Sequence, residues 1–147
     1  PDNLAQINSS CWKKNKWKDY RKIIETIQSF GIGVVGSFVI GLEEDTPGVF
    51  DEIYEFVNET CLYATNITIV TPFPGTGLYE KLKSEGRITV DDWSKYNGFE
   101  LTFKAKHITQ EEMEKGFCKL NKKLDSPQRI NNVLNYFKQV INLRKYT

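Results

Sequence analysis

The sequence predicts an α/β fold: βα units of the kind that close a larger βα array, followed by a helical extension. Three observations predict it. Two short runs rich in apolar and β-branched residues, Ile32–Ile40 and Thr65–Thr71, have the length of strands. Between them, Phe50, Ile53, Tyr54 and Val57 recur at i, i+3, i+4 and i+7, the stripe of an amphipathic helix. Beyond residue 104 the apolar residues return almost only at helical spacing. Strand, helix and strand over residues 32–71 form one βαβ unit, whose strands run parallel.

The elements follow in order. Residues 1–18 are polar, with Trp12 and Trp17 among lysines, and read as an arm or loop. Asp19 is placed to cap a helix whose apolar face is Tyr20, Ile23, Ile24 and Ile27, and Gly31 ends it. Ile32–Ile40 carries apolar side chains on both faces, as a strand covered on both sides does. Gly41–Asp45 is a loop, after which Thr46 is an N-cap and Pro47 suits the first turn of a helix reaching about Glu59.

After the second strand, Pro72 and Pro74 lack the N–H a ladder needs, so strand pairing stops. Gly75 turns the chain, Thr76 caps a short helix over Leu78–Glu85, and Gly86 stops it. The connector "DDWSKYNG" leads to alternating Phe99, Leu101 and Phe103, the pattern of a short third strand. Thr109 and Glu112 form a capping box for a helix lined by Met113, Phe117, Leu120 and Leu124. Ser126-Pro127 opens a last helix with Ile130, Val133, Leu134, Phe137 and Ile141 on one face. The organisation is therefore an arm (1–18), a βα region (19–104) and a helical extension (105–147).

Composition bounds the function. Hydrophobic residues make up 39% of the 147, enough for a packed core, and the net charge is only +1. The charge is unevenly placed: seven acids and no base over Gly41–Thr60, ten bases against four acids from Lys104 onward. The basic tail reads either as a patch for RNA or a protein partner or, more simply, as the solvated face of helices, which makes nucleic acid an unexpected partner. Cys11, Cys61 and Cys118 lie 50 and 57 residues apart, with no CxxC, CxxxCxxC or zinc spacing, and read as reduced thiols of a cytoplasmic protein. No apolar run is long enough to span a bilayer. With one histidine, His107, and no GxSxG, Walker loop or GxGxxG, the chain offers no catalytic or metal-ligating set of its own.

In parallel α/β sheets ligands bind at the carboxyl ends of the strands. Two such ends are legible, Val39-Ile40-Gly41 and Val70-Thr71-Pro72. Gly41, without a Cβ, lets a flat ring approach the backbone there, or is simply a turn glycine. Glu44 accepts hydrogen bonds from a ligand, ties the loop's own amides, or favours the following helix N-terminus.

Taken together, "GIGVVGSFVIGLEEDTPGVFDEIYEF" followed by "ITIVTPFPGTGLYEKLKSEGRI" resembles the radical S-adenosylmethionine (SAM) enzymes. The likeness is to the branch that often carries a cobalamin-binding domain, including relatives of the anaerobic magnesium-protoporphyrin ester cyclase, and covers residues 19–104. It implies a partial (β/α) barrel of parallel strands. It also implies an iron–sulfur cluster held by a CxxxCxxC loop, SAM bound to it, a 5′-deoxyadenosyl radical, a small-molecule substrate and, in part of the branch, cobalamin. The family's GxIxGxxE motif, which lies along the adenine, falls here on Ser37, Val39, Gly41 and Glu44, with Ser37 in place of a glycine and Val39 of an isoleucine. Thr71 and Pro72 match the end of the next strand, near adenine and substrate. The CxxxCxxC loop and a cobalamin domain are absent from the sequence. The resemblance therefore implies a piece holding the last two strands, their helices and the C-terminal extension. Such a piece would be inactive without the N-terminal half and prone to dimerise through its cut sheet edge. The contrasting expectation is a non-catalytic α/β module whose basic tail docks a partner.

Overall fold

The computed structural model describes residues 19–144. Helix α1 spans Tyr20–Ser29, strand β1 Val35–Ile40, helix α2 Val49–Glu59, strand β2 Ala64–Ile69 and helix α3 Gly77–Ser84. A single 3-10 turn at Trp93–Lys95 precedes helices α4, Gln110–Leu124, and α5, Pro127–Arg144. The two strands pair in parallel from Val35 opposite Ala64 to Ile40 opposite Ile69, with α2 as the crossover. The α/β class and the βαβ unit are thus as expected. What stands is a two-stranded parallel sheet with five helices among the described residues, not a barrel.

One face of this sheet is packed and the other open. Ile40, Ile67 and Ile69 join Phe50, Ile53 and Val57 of α2 and Met113, Leu120 and Leu124 of α4 in the buried core. The alternate positions Val35 and Val39 are 58% and 50% exposed. The expectation that the first strand is covered on both sides therefore fails for this chain. The apolar residues on its second face have no layer over them among the described residues.

Several expected boundaries move for local reasons. The α2 N-cap is Gly48, not Thr46; the carbonyl of Thr46 receives the amide of Val49, so Thr46-Pro47 forms the turn ahead of the helix. Asp19 sits at the α1 N-cap in helical conformation without a side-chain capping bond. The alternating Phe99, Leu101 and Phe103 make no third strand. A lone antiparallel bridge joins Ile88 to Phe103, flanked by the amide of Thr89 on the Thr102 carbonyl and that of Lys104 on Arg87. Thr76 and the Thr109–Glu112 capping box hold as expected, each hydroxyl receiving an amide of the first turn. The apolar face of α5 splits: Val133 is buried, while Ile130, Leu134 and Ile141 are about half exposed. The arm at residues 1–18 lies outside the described residues.

Part of the uneven charge is paired within the chain. Lys123 of α4 meets Asp51 of α2 at 3.0 Å, and Arg21 of α1 pairs with Glu59 at the far end of α2. One base of the tail, Lys123, thus pairs with the acidic crossover helix.

Arg129 anchors α5. Its side chain is buried; Nη1 donates to the carbonyl of Leu124 at 3.2 Å and Nη2 to that of Leu62 at 2.7 Å. Leu124 ends α4 and Leu62 follows α2, so one guanidinium satisfies carbonyls at two helix C-termini, where a cation is favoured. Arg129→Met keeps bulk but strands both carbonyls. It is expected to cost about 2–4 kcal/mol. Urea unfolding would show this as a lower midpoint at an unchanged slope, and an unchanged midpoint would remove the anchoring role.

Candidate functional site

The carboxyl ends of β1 and β2 carry the candidate site. β1 leaves the sheet at Gly41, which is buried at φ +94, a conformation that suits glycine. The Asp45 carboxylate then closes the turn: its Oδ2 receives the amides of Gly41 at 2.8 Å and Leu42 at 2.9 Å. Asp45 in turn gives its own amide to the Leu42 carbonyl at 3.1 Å. The amide-tying role considered for Glu44 thus belongs, at these two amides, to Asp45, whose carboxylate lies within reach of both.

The acids of "LEEDT" have separate settings. Glu44 is exposed, and Asp45 is buried in the turn. Glu43 points to three cations: Lys81 Nζ at 2.8 Å, Arg87 Nη1 at 2.8 Å and Lys106 Nζ at 3.3 Å. The hydrogen bonds from Lys81 and then Arg87 hold its carboxyl at about 2, against an ordinary 4.5. A carboxyl lowered on folding stabilises the fold above its unfolded value and loses that contribution as pH falls through its folded value. In acid titrations, the stability difference between the natural chain and Glu43→Gln is expected to shrink between pH 4.5 and about 2. A difference that stays constant across this window would show that the cluster contributes no charge-dependent stability.

The predicted residues distribute unevenly over this end of the sheet. Ser37 and Val39 share the open face, paired across the ladder with Asn66 and Thr68. Gly41 is packed instead: a Cβ there would stand 3.4 Å from Met113 Cε and 3.7 Å from Ile69 Cγ2. On β2, the Thr71 hydroxyl donates to the Ile69 carbonyl at 3.1 Å, and Pro72 is fully buried. The structure therefore brings Ser37 and Val39 together on an accessible surface, leaves Glu44 exposed beyond it, and buries Gly41 and Pro72.

Sequence reasoning missed the neighbour of β2. The connector returns so that the Gly98 carbonyl receives the amide of Ile69 at 2.6 Å along the strand's outer edge. The same connector carries an aromatic group. Trp93 lies 4.9 Å from the ring of Tyr96 and 6.0 Å from that of Tyr79, and the Tyr96 hydroxyl donates to the Val90 carbonyl at 2.7 Å. The only hint in the sequence was the density of aromatic residues in "DDWSKYNG".

Hollows of substantial volume lie elsewhere. A groove of about 730 Å³ runs past Tyr54, Cys118, Lys119 and Lys122, and one of about 660 Å³ past Thr89, Phe103, Lys106 and His107. Neither is lined by a predicted site residue. Among the described residues no group of three histidines, cysteines or carboxylates is placed to hold a metal ion, so an iron–sulfur cluster finds no fitting ligand set there. No helix of the described residues is long and apolar enough to cross a membrane.

No family model matches the chain. Curated proteins do. The chain is 35% identical over 107 residues to the bacteriochlorophyllide d C-8(2)-methyltransferase of Chlorobaculum tepidum, covering 71% of this chain and 24% of that protein. It is 27% identical over 124 residues to the C-12(1)-methyltransferase of the same organism, covering 84% of this chain and 26% of that one. A third relative is the anaerobic magnesium-protoporphyrin IX monomethyl ester cyclase of Cereibacter sphaeroides, 26% identical over 113 residues, with 76% and 18% covered. These homologues are radical SAM enzymes of the cobalamin-associated branch, to which the chain is similar over most of its own length. The radical SAM relatives are enzymes, and the chain spans about a quarter of the length of the two methyltransferases. The resemblance read from the two strand-end motifs is thereby borne out at the level of the family and its branch.

Proposed function

We propose that this chain forms the adenosine-side wall of a radical SAM enzyme that modifies a small molecule, and that it acts together with the cluster-binding portion characteristic of that family. The observation that carries the reading is the open face at the end of β1. Ser37 and Val39 stand accessible beside Thr68, at the strand ends where parallel α/β folds bind ligands. A radical SAM core would lay its adenine along this surface. Val39 offers an apolar bed, the Ser37 hydroxyl a hydrogen-bonding group, and exposed Glu44 an acceptor beyond the turn. Thr71 and Pro72 shape the adjoining wall towards the substrate.

When bound, SAM supplies a sulfonium carbon–sulfur bond open to one-electron cleavage. The residues of this chain do different work: they orient the nucleoside and exclude water from one side of it. The cluster, and cobalamin where the branch uses it, would be held outside the described residues. The names of the relatives include methyltransferases and a cyclase acting on tetrapyrroles, so a planar tetrapyrrole-like or similarly apolar small molecule is the substrate class this reading favours.

Val39→Asp tests the wall. The position is 50% exposed, so the fold should tolerate the change, while a desolvated carboxylate beneath adenine should not be tolerated. In the full-length gene product, SAM affinity is expected to fall roughly tenfold or more, equivalent to about 1.4 kcal/mol. Equilibrium dialysis with labelled SAM reads the affinity and a thermal melt reads the fold; unchanged affinity in a folded variant would overturn the reading. The 147-residue chain alone, reconstituted anaerobically with iron and sulfide, is expected to release no 5′-deoxyadenosine. Stoichiometric cluster with SAM cleavage would show that the chain needs no other portion.

A further inference from the structure

The turn after β1 is held from two sides. From within, Asp45 receives the amides of Gly41 and Leu42. From outside, Glu43 ties the turn to three separate segments: Lys81 in α3, Arg87 just beyond it, and Lys106 in the connector to α4. Arg87 is itself fixed. Its Nε donates to the Lys104 carbonyl at 2.8 Å, its Nη1 also meets Glu85 at 2.9 Å, and its guanidinium lies 6.0 Å from the Phe103 ring centre. Its side chain is only 14% exposed. Both partners of that bond sit against the lone bridge between Ile88 and Phe103.

We propose that Glu43 is a positioning residue for nucleoside binding, fastening the turn at the end of β1 to Arg87, Lys81 and Lys106 so that the open surface beside it keeps one shape. The inference rests on the adenosine-side reading above and adds to it a residue outside the motif. Its physical basis is the division of labour between the two acids. The inner bonds of Asp45 survive loss of Glu43, so the turn stays folded. What is lost is its fixed relation to α3 and the connector. The turn can then occupy several orientations, and a ligand must select one of them at a cost in affinity. The charge of Glu43 is fully developed at working pH. Lys81 and Lys106 are about half exposed, so salt weakens these ties, while the less exposed Arg87 keeps its own longer.

The test uses the full-length gene product, with Glu43→Ala and, as a milder change, Lys106→Gln. SAM and S-adenosylhomocysteine are titrated at low salt and at 1 M sodium chloride. Glu43→Ala is expected to weaken both ligands by a similar factor, about five- to tenfold, and Lys106→Gln by about twofold. Turnover at saturating SAM should stay within about twofold, placing the loss in KM rather than kcat. Affinity in the natural protein should fall more steeply with salt than in Glu43→Ala, a difference that a merely structural role would not produce. Unchanged affinity in folded Glu43→Ala, while Val39→Asp still loses SAM, overturns the positioning role and leaves the adenosine-side reading standing. Loss confined to SAM, with S-adenosylhomocysteine unaffected, also overturns it, because a field acting on the sulfonium would then be the cause. If Val39→Asp and Glu43→Ala both leave SAM binding intact, the adenosine-side reading falls and this inference with it.

Discussion

Gly116→Ala is expected to destabilise the chain by about 2–3 kcal/mol, although the same exchange in an open helix would stabilise it by about 1 kcal/mol. Gly116 lies in the middle of α4, where it faces α2. A Cβ at this position would fall 2.2 Å from Phe50 Cε2 and 2.5 Å from Phe50 Cδ2 and Cζ. No carbon pair tolerates that approach. The Phe50 ring is buried at the start of α2 within the shared core, so it has no free space to swing into. Either the ring leaves its rotamer or the two helices separate, and both loosen the core. The decisive measurement is a double-mutant cycle with Phe50→Leu. That change alone costs core packing, but in its background Gly116→Ala should become neutral or stabilising. Equal effects of Gly116→Ala in both backgrounds would show that the glycine is not there to admit the ring.

Gly41→Val is expected to cost about 3 kcal/mol and to lower the melting temperature by roughly 10 °C. Two terms add. At φ +94 a β-branched side chain is strained by about 1–3 kcal/mol. The new carbons also press on Met113 Cε, which stands 3.4 Å from the Cβ position. Gly41→Ala meets the backbone term with little of the second and should cost about 1–2 kcal/mol. This bears on the site as well as the fold. Because the direction of the absent side chain is filled by Met113, loss of SAM binding in a Gly41 variant is expected to track loss of the folded state. Weakened SAM binding at an unchanged melting temperature would instead place the ligand directly against Gly41. A valine variant that melts with the natural chain would mean that neither the positive φ nor the Met113 contact constrains this position.

Much of the local structure was legible because it is written in adjacent residues. The Thr109–Glu112 capping box, the Thr76 cap and the i, i+3, i+4, i+7 stripe of α2 depend on neighbours within one turn, and each is found where the sequence places it. The parallel pairing of β1 with β2 followed from a helix-length crossover between two apolar runs. The paired strand-end motifs also sufficed for the family, because two rare patterns in a fixed order are far more specific than either alone.

Other features depended on residues far apart in sequence, and only the tertiary structure decided them. The sequence has three acids in a row at 43–45 and singles out Glu44 by spacing. Which acid closes the turn and which reaches the cations depends on where Lys81, Arg87 and Lys106 arrive, 38 to 63 positions later. The close approach at Gly116 was invisible for the same reason: its partner, Phe50, belongs to a different helix. The alternating Phe99, Leu101 and Phe103 looked like a strand because a period-two apolar pattern in sequence is common to strands and to extended connectors; in the structure Phe99 is exposed, Leu101, Thr102 and Phe103 are all buried, and the segment makes only a lone bridge. The apolar outer positions of β1, Val35 and Val39, determined that the strand can be covered on two faces. Whether a face is covered depends on what else packs there, and in this chain the helices gather on one side, because the buried stripes of α2 and α4 both meet the face bearing Ile40, Ile67 and Ile69.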